Sequence, residues 1–323
     1  MIERFVQFFK AIKNNWGKFV LFLVFVLVFV FVLFPLDDLG DLVSSQVAKL
    51  TNNSIYVRFD KMGISIVPQP GMQLKQVYIE TTNLAPLSAQ ELTLSPSIPG
   101  LLSQKPFGHF SAHGFMKGSV EVKVGSGKRS DNNIERYQLD LTLANLSLFE
   151  IRRLVNLPVL LRGQMSMDLT NGQIDPSFTE QPEGDIVLKI DKFELPASNL
   201  QTPMGGLTLP ELKLGQLSIK GRLSGGRINI IDGIIGREGD EIFGHVKGNL
   251  GMTVINNSGI LTPQLGAYSF DIDLKVKRSF QDKAALFLSF IDSYKTQLPD
   301  GGQYRIKISG ANFMMPPSMG ALR

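Results

Sequence analysis

The side chains best suited to metal binding are few in this chain and poorly spaced for it. The chain has three histidines and no cysteine. His109 and His113 stand four residues apart, which would bring two ligands together on a helix, but their segment has the pattern of a strand and a Gly turn. No Glu lies between them, as the zinc-peptidase motif requires. His245 falls in another predicted strand, so we expect no metal site.

Motifs for catalysis or cofactor binding are also missing from the sequence. No Ser has the context of a nucleophile elbow, and the pairs Gly205-Gly206, Gly225-Gly226 and Gly301-Gly302 are typical of turns. None of them opens a helix with the Lys-Ser/Thr of a phosphate-binding loop. Gly236 to Glu241 predicts a charged hairpin tip without calcium-loop spacing. We therefore expect no catalytic residues, no cofactor and no enzyme activity.

Apolar side chains are more informative than polar ones in this sequence. Hydrophobic residues make up 43% of the chain and charged residues 19%, enough for a sizeable core. The 22 Phe residues greatly outnumber the one Trp and six Tyr. Those Phe outside the N-terminal run either fill a core or line an apolar trough for acyl chains, and the sequence leaves both alternatives open.

Charge and cysteine usage narrow the function classes further. The net charge is +4, and Lys and Arg are spread along the chain without a block of five, which argues against nucleic acid as a partner. The absence of cysteine excludes disulfides, thiolate catalysis and Fe–S clusters, and it fits an oxidising compartment.

A long apolar run near the N-terminus predicts a membrane helix. Every residue from Phe19 to Phe34 is Phe, Val or Leu, and Pro35-Leu36 extends the run to about 18–20 residues, enough for the bilayer core. No face of the segment is polar, which disfavours a buried helix of a soluble protein. No small-x-small site follows, which favours an uncleaved signal anchor over a signal peptide.

The charges beside this run predict its orientation. Basic residues precede it at Arg4, Lys10, Lys13 and Lys18, whereas acidic residues follow it at Asp37, Asp38 and Asp41. The positive-inside rule then places residues 1–18 in the cytoplasm, residues 19–36 in the lipid bilayer as a single-pass anchor, and the rest in the periplasm of a cell with an inner membrane.

After the anchor the hydrophobic period changes twice. Residues 37–53 carry apolar side chains at helical spacing and predict a short amphipathic helix. From Ser54 the period is two, which predicts a β-rich domain over residues 54–310. Residues 280–298 return to helical spacing and predict one amphipathic helix, and residues 311–323 form an apolar C-terminal tail. A capping box at Ser147-Glu150 predicts another short helix, to about Asn156.

The predicted strands are short and separated by Gly and Pro. Segments 110–124 and 160–174 have the pattern of hairpins, the second with Asn171-Gly172 at a turn or bulge. An apolar strand followed by Gly and a further strand recurs without a fixed period, which favours one long, strongly twisted antiparallel sheet with Gly at bends and bulges. We expect this sheet to curl into a trough with one apolar and one wet face.

The order of these features resembles the N-terminal region of AsmA-like proteins of the bacterial envelope. The resemblance runs through the short helix, Ile55-Tyr56-Val57, Ile64 to Pro68, Gly71 to Ile79 and Leu87 to Leu94, and it continues over Ile228 to Leu250. At this length, and with one C-terminal helix, the chain more closely resembles the type II secretion system protein N family of spirochaetes and delta-proteobacteria. Asn52-Asn53 stands where that family usually has Thr-Gly.

The resemblance implies an accessory protein of type II secretion in the inner membrane, facing the periplasm. It would function in protein transport by contacting other secretion-system envelope proteins through the sheet edge and the C-terminal tail. The alternative that the resemblance leaves open is an AsmA-like protein that binds or transfers phospholipid in the trough. It carries over no functional residue in either case.

Overall fold

The computed structural model of this protein describes residues 16–33, 40–65, 70–81, 85–202, 205–257 and 260–322. The chain is mainly β, with a few short helices, as the hydrophobic periodicity predicts. Predictions that concern residues 1–15 and 34–39 lie outside the described residues.

The elements are numbered in chain order. The α-helices are α1 (Trp16–Leu33), α2 (Gly40–Leu50), α3 (Ile98–Ser103), α4 (Leu148–Leu154), α5 (Arg278–Lys283) and α6 (Ala285–Ser289). The strands of the first half are β1 (Ile55–Arg58), β2 (Lys61–Ser65), β3 (Gly71–Thr81), β4 (Leu87–Pro96), β5 (Gly108–Phe115), β6 (Gly118–Ser126), β7 (Tyr137–Ser147), β8 (Arg162–Ile174) and β9 (Glu183–Leu195). Those of the second half are β10 (Ser198–Thr202), β11 (Gly205–Leu209), β12 (Leu212–Ser224), β13 (Arg227–Ile235), β14 (Ile242–Asn257), β15 (Ile260–Lys277), β16 (Lys295–Leu298), β17 (Gly301–Gly310) and β18 (Ser318–Ala321).

One sheet of 16 strands contains every strand except β10 and β11, which pair with each other. Its strands follow chain order almost throughout, and their pairings are antiparallel. At the first edge β1 and β2 both pair with β3, and at the last edge β16 and β18 both pair with β17. This arrangement confirms the prediction of one long antiparallel sheet.

Helix α1 coincides with the apolar run of the sequence. Its side chains from Val20 to Val26 are all exposed, and so is Phe29. Within the described part of the chain, no helix is both long enough and apolar enough to cross a membrane.

Helix α2 confirms the amphipathic helix expected just after the apolar run, over residues 40–50 of the predicted 37–53. It packs along β1 in the antiparallel direction: its C-terminal side reaches Ile55 through Thr51, and its Ser44 hydroxyl donates to the Val57 carbonyl at 2.6 Å. The N-terminal Gly40 lies against the ring of Phe59. The N-terminus of α2 therefore points along β1 toward β2.

The single helix predicted over residues 280–298 is wrong. The chain there forms α5, α6, a 3-10 turn at Asp292–Tyr294 and strand β16. The helical spacing of apolar residues is real, since Phe280, Ala284 and Leu288 pack into one cluster. However, Pro299-Asp300 favours a tight turn, and β17 pairs with β16 across it.

Two other predictions need correction. The hairpin predicted over residues 160–174 is wrong, because Arg162–Ile174 forms the single strand β8. The bulge that was the alternative to a turn at Asn171-Gly172 is confirmed: Asn171, with φ of 54°, lies at a shift in register with β9. The predicted helix after Ser147 forms as α4, but the Ser147 side chain makes no capping hydrogen bond. Glu150 faces Lys117 and Arg153 instead, at 3.6 and 3.4 Å.

Candidate apolar binding face

Strand register places apolar side chains in continuous rows across the whole sheet. In one row each residue is the direct cross-strand partner of the next, from β2 to β18, and every member is apolar or Gly. We call the surface formed by this row and its parallel neighbour the apolar face. The first row consists of Met62, Leu74, Leu92, Ala112, Val120, Leu143, Met167, Leu188, Ile219, Gly233, Val246, Ile272, Ile306 and Ala321.

The parallel row is equally continuous. It consists of Ile64, Met72, Leu94, Phe110, Val122, Leu141, Leu169, Ile186, Gly221, Ile230, Gly248, Phe270, Ile308 and Met319. The residues between the two rows point to the other face because side chains alternate along a strand. They are mostly polar, as in Thr93, Ser111, Glu121, Thr142 and Asp168.

Burial along the apolar face is uneven. At the first end Leu74 and Ala112 are 4% exposed, and at the last end Ile306 is 2% exposed. In the middle, from β6 to β14, the side chains of the rows are only half-buried, as at Leu188 and Ile219. The first row is therefore covered near both ends and half-buried between them, whereas the parallel row stays accessible at the ends, where Ile64, Leu94 and Met319 are exposed.

Local packing explains why Leu74, Ala112 and Ile306 are covered. Around Leu74 and Ala112, the side chains of Phe59 and Val57 complete a cluster beside α2. Around Ile306, the cluster includes Phe280 and Ala284 from the α5 region. Among the described residues, no helix makes extended contact with β9, β12 or β13.

Bulges keep the apolar rows aligned over so many strands. The register of β12 with β13 shifts at Gly221, and that of β8 with β9 shifts at Gly163, where φ is +133°. A side chain at Gly163 would be strained by this left-handed backbone, so Gly is required there. These shifts confirm the prediction that Gly marks bulges in the sheet.

The histidines do not converge on a site. His109 and His113 lie on β5 and His245 lies on β14. His109 approaches Glu121, with Nε2 and Oε2 3.8 Å apart. The part of the chain that the structure describes holds no group of three side chains suited to bind a metal ion.

Of the three glycine pairs predicted as turns, Gly225-Gly226 forms one, whereas Gly205-Gly206 begins strand β11 and Gly301-Gly302 begins strand β17. Gly225 and Gly226, with φ of 57° and 72°, form the two-residue turn between β12 and β13. Gly236 to Glu241 joins β13 to β14, and the Asp240 carboxylate accepts hydrogen bonds from the Arg237 and Gly215 amides at 2.8 and 2.6 Å. The charged hairpin tip predicted for this segment is thus confirmed.

A polar network stabilises two loops at one end of the strands. Arg136, before β7, donates to Glu180, in the loop between β8 and β9, at 2.6 Å and lies 3.4 Å from Glu183. The Glu180 hydrogen bond raises the pKa of Arg136. Arg136 thereby pairs with both carboxylates and holds the loop before β7 against the loop between β8 and β9.

A cleft of about 430 Å³ lies beside α4. Tyr78, Ser88 and Leu154 contribute to its walls together with the ion pairs of Glu150. Because Glu150 lies between Lys117 and Arg153, its charge is already matched. Among the described residues that line the cleft, no nucleophilic side chain is hydrogen-bonded to a side chain that could act as its base.

The continuous apolar face is the feature that sequence reasoning only partly found. Alternation predicted one apolar face, but cross-strand register depends on bulges whose positions a single sequence does not specify.

No family model, curated protein or solved structure matches this chain.

Proposed function

We propose that this protein is a membrane-anchored envelope protein that binds the acyl chains of phospholipid on its apolar face. The observation that supports this proposal is the half-buried middle of the face, where two aligned apolar rows meet solvent. A sheet face that serves only as core would be covered, because exposing a contiguous apolar surface costs free energy.

The size of the open region suits an acyl chain. From β6 to β14 the sheet has seven strands, which at a spacing of about 4.8 Å gives roughly 29 Å across the strands. The hydrocarbon core of a bilayer is about 30 Å thick, so one leaflet contributes about half of that length. The open region is therefore long enough for the extended chains of one phospholipid.

The proposed location is the inner membrane, with residues 19–36 in the bilayer and the sheet in the periplasm. The support comes from the all-apolar sequence of this segment and from the exposure of the α1 side chains, such as Phe22 and Phe25, which are 66% and 64% exposed. A helix that is apolar on every face needs a nonpolar environment. The flanking charges support a cytoplasmic N-terminus.

Neighbouring residues of β9 offer a matched pair of variants to test lipid binding. Leu188 belongs to the apolar face, whereas Val187 pairs with Lys220 and Asp168 on the wet face, and both are half-buried. We expect full-length Leu188→Glu to copurify with less phospholipid per protein than wild type, as measured by lipid mass spectrometry. Val187→Glu should retain the wild-type amount.

Lipid around the anchor is a background that all three proteins share, so the difference between variants reports the apolar face. Equal lipid content in Leu188→Glu, Val187→Glu and wild type, with circular dichroism showing that all are folded, would overturn the proposal.

A second candidate function is an accessory role in type II secretion through protein contacts. It is favoured by the apolar tail after β17, where Met314 is 95% exposed and Met315 is 58% exposed. A photo-crosslinking amino acid at Met314 should then capture other secretion-system envelope proteins in cells, whereas one at the exposed Ile231 should not. Capture of none by either position would count against this role. Neighbouring genes for a secretion ATPase and a secretin would support it.

A further inference from the structure

Helix α3 carries three strongly exposed apolar side chains within six residues. Ile98, Leu101 and Leu102 are 70%, 64% and 83% exposed. Between Pro96 and Gly108 the sequence has one Lys and no acidic residue. The ammonium of that Lys, Lys105, pairs with the Glu135 carboxylate, so its charge is matched within the protein. Such a segment is costly in water and compatible with the interface of a bilayer, where apolar tips enter the acyl boundary.

The helix is held firmly although its apolar side chains face outward. The Ser97 hydroxyl accepts a hydrogen bond from the Gly100 amide at 3.0 Å, and Gln104 ends the helix in the left-handed conformation. The Ser97 amide donates to the Phe107 carbonyl at 2.9 Å, and the Lys105 amide donates to the Gly100 carbonyl, also at 2.9 Å. The exposed tip is therefore a built feature of the β4–β5 connection.

The position of α3 relates it to the N-terminal helix. It follows the end of β4, and Gly71, where β3 begins, packs against Leu94 and Ser95 of β4. Helix α2 runs along β1 with its N-terminus toward β2, and β2 ends opposite Gly71. The N-terminus of α2 thus points toward the end of the sheet at which α3 projects.

We infer that the tip of α3 inserts into the same bilayer that holds residues 19–36, as a second membrane contact that orients the sheet. This inference rests on the proposed anchoring of α1 but not on lipid binding by the apolar face. Two contacts hold the end of the strands near β3 and β4 at the membrane. The opposite end, where α5 and α6 follow β15, then faces away from the bilayer.

The absence of cysteine makes single-cysteine labelling of the full chain clean. We would label Leu101→Cys on α3, Phe290→Cys at the opposite end of the strands and Phe22→Cys in α1 with an environment-sensitive fluorophore. These side chains are 64%, 69% and 66% exposed, so exposure alone does not distinguish them. Each protein is reconstituted in vesicles of phosphatidylethanolamine and phosphatidylglycerol, with and without brominated acyl chains.

We expect brominated lipid to quench the labels at positions 101 and 22 and to leave the label at 290 unquenched. Quenching at 22 without quenching at 101, or equal quenching at 101 and 290, overturns the inference while the anchor stands. Loss of quenching at 22 refutes the anchor and the inference together. If the label at 101 is unquenched but becomes less polar as protein density rises, a second copy covers α3 and the inference is wrong.

Discussion

Asp175 is the charged side chain most completely withdrawn from solvent among the buried residues, with 1% exposure at the start of the loop between β8 and β9. Burial by itself would raise the pKa of this carboxyl. Hydrogen bonds from the Thr179 hydroxyl and from the Ser177, Glu180 and Thr179 amides outweigh that effect and lower the pKa to about 2. The carboxylate organises the loop that presents Glu180 to Arg136.

Asp175→Asn should lower the free energy of unfolding by about 2 kcal/mol at neutral pH, because the charged acceptor is lost. The folded-state pKa lies below the ordinary value of 3.8, so the wild-type advantage is complete above about pH 5 and is lost as the pH falls through about 2. Urea unfolding of both proteins from pH 7 to pH 2 measures this.

The exposed Asp131, in the adjacent loop, provides the control. Asp131→Asn should leave the free energy of unfolding near the wild-type value across the same pH range. An Asp175→Asn protein whose stability follows the wild-type pH curve at every pH would contradict the role assigned to this carboxylate.

At the residue scale the sequence predicted well what depends on spacing alone. The four-residue separation of His109 and His113 was informative because the surrounding pattern indicated a strand, and both lie on β5. The role of Asp175 could not be predicted, since an Asp before a Pro-Ser pair is typical of many loops. Its burial depends on β8, β9 and the loop before β7 meeting in three dimensions.

At the scale of elements, Gln181 connects the loop before β9 to β14, a strand that is not a neighbour of β9 in the sheet. Its side chain accepts a hydrogen bond from the Val254 amide at 2.8 Å and donates to the Val254 carbonyl at 3.2 Å. It thereby pairs with β14 beyond the turn between β12 and β13. Strand β13 begins at Arg227, opposite Gly251, and so does not reach Val254. The side-chain amide of Gln181 bonds to Val254 instead.

Gln181→Leu should remove both hydrogen bonds and increase hydrogen exchange at the Val254 amide by about tenfold. Peptide-resolved or nuclear magnetic resonance exchange on the full chain measures this. The Met252 amide donates to the Gly226 carbonyl at 2.9 Å and should keep its protection. Unchanged exchange at Val254 would mean that the side chain does not protect this strand.

Hairpins show where local sequence rules succeed and fail. The pattern over residues 110–124 predicted β5 and β6, and Met116 and Lys117 form their turn with φ of 47° and 66°. At Asn171-Gly172 the same rules offered a turn or a bulge, and the structure has the bulge, because pairing with β7 and β9 on both sides keeps β8 continuous. Over residues 280–298 the prediction followed the helical spacing of the apolar residues. It did not use Pro299-Asp300, which favours the turn that the structure has there.

The hairpin of β16 and β17 tests the finding that residues 280–298 do not form one helix. Gly301 has φ of +154°, and a Cβ there would lie 2.0 Å from the Val276 carbonyl oxygen. Gly301→Ala should therefore lower the free energy of unfolding by about 3 kcal/mol. Gly320→Ala on β18 is the control, because nothing lies within 4 Å of its Cβ position. Chemical denaturation that shows equal stability for the two variants would contradict this account.

At the scale of the whole molecule, orientation is the first property to test. The proposal places the sheet in the periplasm, so a topology reporter fused after the last residue should be active only on that side. A dual reporter of alkaline phosphatase and green fluorescent protein measures both compartments in one strain. Cytoplasmic activity at the C-terminus would contradict the proposed location.

The apolar face also predicts that stability and lipid binding depend on different parts of one row. Ile306, at the covered end, is 2% exposed, whereas Ile219 lies in the open middle and is half-buried. Ile306→Ser should lower the free energy of unfolding by about 3 kcal/mol, because it leaves a cavity in a packed cluster. Ile219→Ser should cost only about 1 kcal/mol, because less apolar area is withdrawn from water there.

Lipid content should follow the opposite order. Ile219→Ser removes part of the surface that acyl chains would contact, so it should reduce copurified phospholipid per folded protein, whereas Ile306→Ser should not. Urea unfolding and lipid mass spectrometry on the same preparations measure both quantities. If Ile219→Ser costs as much stability as Ile306→Ser and leaves the lipid content unchanged, the middle of the face is ordinary core. The free energy of unfolding and the lipid content should change in opposite order for one physical reason. A covered apolar side chain stabilises the fold, whereas an uncovered one remains available to a ligand.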